Sequence, residues 1–324
     1  MADKGLTVVL LTKDGGPLIK EMLDALFRQP GGFEVIAVDS GSTDGTLELL
    51  RSYPVRLYQI PPEEFNHGLT RNFGASKASP GSRYIAFLTQ DAVPMPGWLP
   101  GLLRPMEDDP EVAGVFSRQL PRGGGNPILR RYMLEEWGQC GGPDRVEKKL
   151  TDRADYERRK KWYITFNDPS SAVRREVFEK IPFRRADFAE DLMWARDVLE
   201  AGYKLVYEPA STVVHSHEYS LTEQFRQHFD DAGALAGLTG AGSGKGRPLG
   251  RLFGKLVKDA AYLLRQDMPL HKRLGWLLYM PFWHLAVLSG TVLGLKRGAL
   301  PDWLVRLCSR QSRIKRGLYK TRHK

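Results

Sequence analysis

The sequence predicts an α/β protein: an open, mostly parallel mixed sheet flanked by helices, followed by a C-terminal helical extension. Three observations carry this. Short apolar runs alternate with segments of helical periodicity through the first half of the chain. Several of those runs end on a polar residue, at the edge where open α/β sheets bind ligands. Beyond Gly250 the chain turns basic and is interrupted by long apolar stretches.

The elements follow in order. Leu6–Leu11 is a continuous apolar run bounded by Gly5 and Lys13-Asp-Gly-Gly16, the pattern of a strand buried on both faces. Pro17–Arg28 has helical spacing at Ile19, Met22, Leu23 and Leu26, and Phe33–Val38 is a second strand ending at Asp39. Thr46–Arg51 is a short helix, Val55–Tyr58 a short strand, and Tyr84–Leu88 a strand ending at Gln90-Asp91. From about Glu111 the alternation weakens: Val112–Phe116 and Tyr203–Tyr207 read as strands, Leu129–Trp137 and Ala189–Ala201 as helices. These patterns divide the chain into a ligand-binding half (1–110), an elaboration that receives a second substrate (111–240), a Gly-rich linker (241–250) and a tail (251–324).

The chain has 324 residues, 42% hydrophobic and 27% charged, which excludes disordered, collagenous and disulfide-scaffold classes. Cys140 and Cys308 are too few and too far apart for a secreted framework or a zinc site, so a reducing cytosolic setting and no structural metal are expected. The N-terminus lacks the ordered regions of a secretory signal. The net charge of +10 is uneven: residues 245–324 carry 18 Lys/Arg against three acids. A basic tail with apolar interludes suits an anionic membrane surface and not nucleic acid. Arg251–Gln266 has the spacing of a basic amphipathic helix. Leu274–Leu295 is uncharged and long enough to span a bilayer. Pro281, its small residues and the basic residues at both ends favour a kinked segment in the cytoplasmic leaflet, with a buried hairpin or dimer interface as the plainer alternative.

Chemistry concentrates at a few places. Asp39 ends a strand and can accept from a nucleobase imide, whereas Asp44, two residues before Thr46, reads as a turn or cap. Asp91, after the strand Tyr84–Leu88, can hold a divalent cation that neutralises a departing diphosphate. Arg71, with His67 and Asn72 in a turn entering a helix, suits phosphate or ribose contacts, and Gly68, Gly74 and Ala75 imply close packing there. Glu190-Asp191 opens a helix, where one acid can take a proton from an attacking hydroxyl and Trp194 offers a ring face to a sugar. His215 and His217, on extended chain, present two rings to one face, where a metal could take one; a packed histidine is the plainer reading. Residues 240–246 imitate a phosphate loop without its first Gly or its Ser/Thr, and neither a G-x-S-x-G elbow nor a G-x-G-x-x-G fingerprint is present.

Taken together, these segments resemble inverting family 2 glycosyltransferases of the GT-A fold. The matching pieces are Leu6–Leu11 with Thr12, Val38-Asp39-Ser-Gly-Ser-Thr-Asp44-Gly45-Thr46, Gln90-Asp91-Ala92 in place of the D-x-D motif, and Glu190-Asp191 in place of the E-D base motif. Within that family the chain is most similar to bacterial rhamnosyltransferases, through Phe65-Asn-His67-Gly-Leu-Thr-Arg71-Asn72, Thr89-Gln-Asp91-Ala, Arg118-Gln119-Leu-Pro121, Phe166-Asn167 and His215-Ser-His217-Glu-Tyr-Ser220. The resemblance covers roughly residues 5–235 and departs from the family at Thr89, which stands where D-x-D has its first acid, and at Lys13-Asp14-Gly15. It implies a nucleotide-sugar half and an acceptor half, with Asp191 and Glu190 catalytic. Thr12, Asp39, His67, Arg71, Asn72, Gln90 and Asp91 would face the donor, and Arg118, Gln119, Asn167 and Trp194 the acceptor or sugar. Asp91, His215 and His217 would lie at Mg²⁺ or Mn²⁺. It further implies dTDP-L-rhamnose as donor and a lipid-linked (polyprenyl diphosphate) or polysaccharide acceptor at the cytoplasmic face of the membrane. A UDP-sugar transferase and a non-catalytic sugar-nucleotide or lipid-binding scaffold are the alternatives.

Overall fold

The structure, a computed structural model, describes residues 5–136, 142–186, 188–240 and 248–315. It divides into two compact units. One runs to Arg122 and, after an interruption, continues to Ser216; the other comprises Gly123–Glu136 and the chain from His217 onward. Cys140, the linker residues 241–247 and the basic run from Arg316 lie outside the described residues.

The first unit is a nine-stranded mixed sheet. Its strands are β1 (Leu6–Thr12), β2 (Glu34–Asp39), β3 (Arg56–Gln59), β4 (Tyr84–Thr89), β5 (Val93–Pro94), β6 (Val112–Leu120), β7 (Val146–Lys149), β8 (Ser170–Arg174) and β9 (Lys204–Val214). The order is β3-β2-β1-β4-β8-β6-β9-β5, with β7 also on β9. β1 to β4 are parallel; β1, β2 and β4 have the largely apolar, buried runs of strands covered on both faces, whereas β3, Arg-Leu-Tyr-Gln, is the more exposed edge strand. β8 runs antiparallel between β4 and β6, and β6 is parallel to β9. The fold class read from the sequence is therefore the one observed, with parallel pairing concentrated in the nucleotide half.

Register brings the chemistry to one edge. Thr12 pairs with Asp39 and Leu11 with Thr89, so β1, β2 and β4 end together. Because β8 is antiparallel, it begins at that same edge, with Ser170 opposite Leu88. β9 is longer than its apolar run predicts. It bulges between Glu208 and Thr212, around Pro209, which has no N–H for the ladder, and resumes to Val214. The resumed strand carries His215 to the edge, where its N–H donates to the Leu120 carbonyl at 2.9 Å.

In the second unit, helix Pro127–Arg131 and a π turn at Tyr132–Glu136 occupy the segment expected to be one helix. Leu221–Thr239, Pro248–Arg265 and Leu270–Leu295 are its long helices. Pro281 lies inside the last without ending it. A Cβ on Gly290 or Gly294 would fall 2.2 or 2.3 Å from the carbonyl oxygens of Phe225 and Phe229. Only glycine lets that helix lie so close to the backbone of Leu221–Thr239. Ile128, Leu263, Met280 and Trp283 form this unit's core.

Candidate active site

The loops after β1 and β2 are stapled to each other. Thr12 Oγ1 donates to Asp39 Oδ2 at 3.0 Å, the N–H groups of Gly41 and Ser42 donate to Asp39 Oδ1 at 2.9 Å each, and Ser42 Oγ donates to Oδ2. A carboxylate has about four acceptor positions. Asp39, fully buried, has all four answered by protein donors. In this structure the side chain shapes the turn, where the sequence reading expects a nucleobase contact. Asp44 does the same for the next turn, accepting from Thr46 N–H and Oγ1 and from Gly16 N–H, as its spacing suggests. Gln90 exchanges two 2.9 Å hydrogen bonds with the Lys13 backbone, tying the ends of β4 and β1 together.

The helix His67–Ser76 starts at Asn66, whose side chain accepts from Leu69 N–H and donates to the Ala186 carbonyl. A Cβ on Gly68 would fall 2.7 Å from the Arg184 carbonyl oxygen and 3.3 Å from Glu190 Cβ, so glycine is what admits the 183–190 segment. Asn72 clasps the Phe183 backbone in both directions. It is thus a packing residue and not a donor contact. His67 stacks edge-on against Phe65, with ring centroids 4.8 Å apart.

Arg71 is buried among acids. Its Nη1 donates to Glu190 Oε1 at 2.6 Å and lies 3.4 Å from Asp168 Oδ2. In this structure the guanidinium faces carboxylates through Nη1, where the sequence reading expects a donor phosphate. Asp168, missed in the sequence, stands two residues before β8. It is 2% exposed, and its carboxyl is pushed up to about 7 by burial, against the pull of Arg71 and with the repulsion of Glu190. Asp191 is partly buried. Burial, then the charges of Asp168 and Glu190, raise its carboxyl well above the usual range, opposed by a hydrogen bond from Leu192 N–H and by Arg71. The helix bearing both acids is entered through Ala189, a non-glycine residue at φ 65°, ψ 32°. Left-handed backbone outside glycine is strained, and such strain gathers at functional sites.

Trp194 does not face a sugar. It is 1% exposed, its indole N–H donates to the Ile181 carbonyl at 2.8 Å, and its ring packs among Phe166, Phe178 and Phe183. Gly114 on β6 leaves room for that ring. Asn167 adjoins Asp168 in sequence, and Arg118 lies on β6 opposite Thr212.

A second cluster sits where β4, β6 and β9 end. His215 Nε2 is 3.5 Å from Asp91 Oδ1, and its Nδ1 is 2.8 Å from Gln119 Oε1. Gln119, buried, thus orients a histidine and presents no surface to an acceptor sugar. Burial lowers the His215 pKa, Asp91 opposing and Arg122 assisting, so the ring is neutral. With Nδ1–H given to Gln119, the Nε2 lone pair points toward a carboxylate, an arrangement that a cation satisfies. His217 follows two residues on, and one ligand atom from each of Asp91, His215 and His217 lies within 4.8 Å of the others.

A mixed α/β sheet of this order, with acids gathered at the ends of its parallel strands, defines a glycosyltransferase of the GT-A fold. The comparisons agree. A family model described as glycosyl transferase family 2 matches residues 7–182, and the chain belongs to that family. It is 31% identical over 231 residues to the O-antigen chain rhamnosyltransferase RfbN of Salmonella typhimurium, covering 69% of this chain and 70% of that one. It is 32% identical over 200 residues, 61% of each, to the O-antigen chain rhamnosyltransferase WbaN of Salmonella anatum. Among solved structures, the mannosyltransferase PcManGT from Pyrobaculum calidifontis, in complex with GDP-Man and Mn²⁺, superposes with a TM-score of 0.58 at 20% identity, covering 92% of this chain and 87% of that one. TarS of S. aureus with UDP-GlcNAc gives 0.51 at 16%, covering 87% and 72%.

Proposed function

We propose that this glycosyltransferase moves L-rhamnose from dTDP-L-rhamnose, with inversion, onto a hydroxyl of a lipid-linked glycan in cell-surface polysaccharide synthesis. The observation that carries the reading is the 31–32% identity to two O-antigen rhamnosyltransferases. Asp191 is the base: it takes the acceptor hydroxyl proton, and the oxygen attacks the anomeric carbon from the face opposite the nucleotide. Glu190 serves by holding Arg71, whose charge keeps the buried acids from all retaining protons. Asp91, His215 and His217 fit a divalent cation, and two imidazoles with one carboxylate suit Mn²⁺ better than Mg²⁺, which prefers oxygen ligands. When bound, the cation supplies positive charge against the departing diphosphate.

The second unit attaches the enzyme to the cytoplasmic face of the membrane without crossing it. Leu270–Leu295 is apolar enough to span, yet its glycine face lies along Leu221–Thr239, which bears Glu223, Arg226, Asp230 and Asp231. Charged side chains on that neighbour would have to enter the hydrocarbon beside it. An in-plane orientation avoids this.

The test is turnover by the purified enzyme with dTDP-rhamnose, UDP-sugars and GDP-mannose against polyprenyl-diphosphate-linked acceptors. Release of dTDP with formation of an inverted rhamnoside is expected. Turnover of a UDP-sugar with dTDP-rhamnose untouched would overturn the donor assignment.

A further inference from the structure

Arg122 touches both chain segments that carry the candidate cation ligands. It stands two residues beyond β6, between Pro121 and the three glycines 123–125. Its Nη2 donates to the main-chain carbonyl of Asp91 at 2.8 Å, and its own N–H donates to Ser216 Oγ at 3.0 Å. Asp91 is one of the three ligands, and Ser216 lies between the other two, His215 and His217. The guanidinium is itself braced: Nη1 donates at 2.9 Å to Oε2 of Glu21, on the helix Gly16–Phe27. One residue therefore fixes the peptide plane that follows Asp91, meets the hydroxyl between the two histidines, and is anchored to a helix that carries neither.

Stability and charge do not account for this arrangement. The Arg122 side chain is 25% exposed and that of Glu21 53%, and an ion pair so open to water adds little to the stability of the fold. A guanidinium beside a cation site also opposes occupancy by Coulomb repulsion, and the charge of Arg122 does reach the site, since it acts on His215. What remains is preorganisation. The turn bearing Asp91 is closed by the Ala92 N–H donating to the Thr89 carbonyl at 3.1 Å. It is gripped on one side by the Gln90 clasp on Lys13 and on the other by Arg122. Ligands already held at their spacing lose less freedom when an ion binds them.

We propose that Arg122 is a positioning residue of the cation site: it holds the Asp91 turn and the segment His215–His217 at the spacing a divalent ion needs, and this effect outweighs the repulsion of its own charge. The inference rests on the cation site proposed above and adds to it a residue that touches no ion.

The experiment is calorimetry of the full-length protein with Mn²⁺ alone, beside urea melts. Arg122→Met removes the donors and the charge together. It should weaken Mn²⁺ binding about 10–100-fold, the usual cost of losing a group that orients a ligand, with the urea midpoint unchanged. Repulsion acting alone predicts the opposite sign, tighter binding in the variant. Arg122→Lys keeps the charge but has one nitrogen for both Glu21 and the Asp91 carbonyl, so its affinity should fall between those of the wild type and Arg122→Met. In turnover, Arg122→Met should raise the Mn²⁺ concentration for half-maximal rate more than it lowers kcat, a split that general damage to the site would not produce. Mn²⁺ bound by Arg122→Met as tightly as by the wild type, or more tightly, overturns the proposal. Should that variant fail to fold, Arg122→Lys with wild-type affinity overturns it equally. The cation site is judged apart: loss of Mn²⁺ binding in Asp91→Ala keeps that site standing where Arg122 proves inert, whereas a wild type that binds no Mn²⁺ overturns the site and this inference with it.

Discussion

Replacing Arg71 with Met tests the central feature of the site, because the two possible roles of this residue predict opposite outcomes. Its Nη1 lies 2.6 Å from Glu190 and 3.4 Å from Asp168, with all three side chains less than a tenth exposed. Removing one partner of a buried ion pair costs about 3–5 kcal/mol, because the remaining charge is stranded without water. That is a large share of a total stability of about 5–15 kcal/mol. With a urea slope of about 3 kcal/mol/M, the midpoint should fall by about 1–1.7 M. Arg71 also lowers the pKa of Asp168 and of Asp191. The base must be unprotonated, so activity falls as pH drops through the raised carboxyl pKa. Without the cation that fall begins at higher pH, and the deficit relative to wild type should be greater at pH 6 than at pH 8.5. Arg71→Lys, which keeps the charge, should recover much of both losses. The assays are urea melts and kcat/KM against pH. Arg71→Met with unchanged midpoint, unchanged acid limb and a raised KM for the donor would show that the guanidinium meets a phosphate and that the buried pairing is incidental.

Asp191→Asn should keep donor affinity by calorimetry and lower turnover about 10²–10⁴-fold, the range of a lost general base; loss through Glu190→Gln with Asp191→Asn active would exchange the two roles. Asp168→Asn should flatten the pH dependence of stability. In the wild type the folded protein holds a proton up to about pH 7 that an unfolded aspartate gives up near 3.8, so stability is greatest below that range and declines as pH rises toward 7. Urea melts at pH 5.5 and 8.0 should converge in the variant, and persistence of the wild-type difference would remove Asp168 as its source. Gln119→Ala should weaken Mn²⁺ binding about 10–100-fold by freeing the His215 ring, read by calorimetry with Mn²⁺ alone. Unchanged affinity would leave His215 outside the metal site.

The parallel half of the fold was legible because strands covered on both faces must be apolar throughout, and Leu6–Leu11, Phe33–Val38 and Tyr84–Leu88 are. β8 was not. Ser-Ser-Ala-Val-Arg has little β-branched character, and its serines are buried because nearby side chains answer them, Ser117 Oγ at 2.7 Å for Ser170 and Asp168 Oδ1 at 3.3 Å for Ser171. The bulge in β9 hid the rest of that strand behind Pro209. At the site, residue types pointed to the right places but not to the right partners. Arg71 and Asn72 carry groups that suit phosphate and ribose, and only the fold reveals that Glu190 and Phe183 stand opposite them. Asp168 carried one signal, an acid directly after Asn167 ahead of a Pro, and its meaning depends on β8 running antiparallel. Trp194 lies on the helix of Asp191 but on its buried face, which a cleft-side reading of helix spacing could not separate.

On the mechanism proposed, the two adjacent acids divide the work through this geometry. Three carboxylates share one guanidinium in a poorly solvated pocket, so positive charge is insufficient to ionise all of them cheaply. Glu190 makes the direct 2.6 Å bond to Arg71. Asp191 has a hydrogen bond from its own helix N-terminus at Leu192, and its carboxyl is pushed upward by burial and by Asp168 and Glu190. A carboxylate held at an ordinary pKa would be a poor acceptor for a sugar hydroxyl proton, whereas one raised by desolvation has greater proton affinity at the pH where it acts. Arg71 limits how far that rise goes. With Asp191 proposed as base, the buried pair Arg71–Glu190 would set its strength, and the strained Ala189 would fix where it stands.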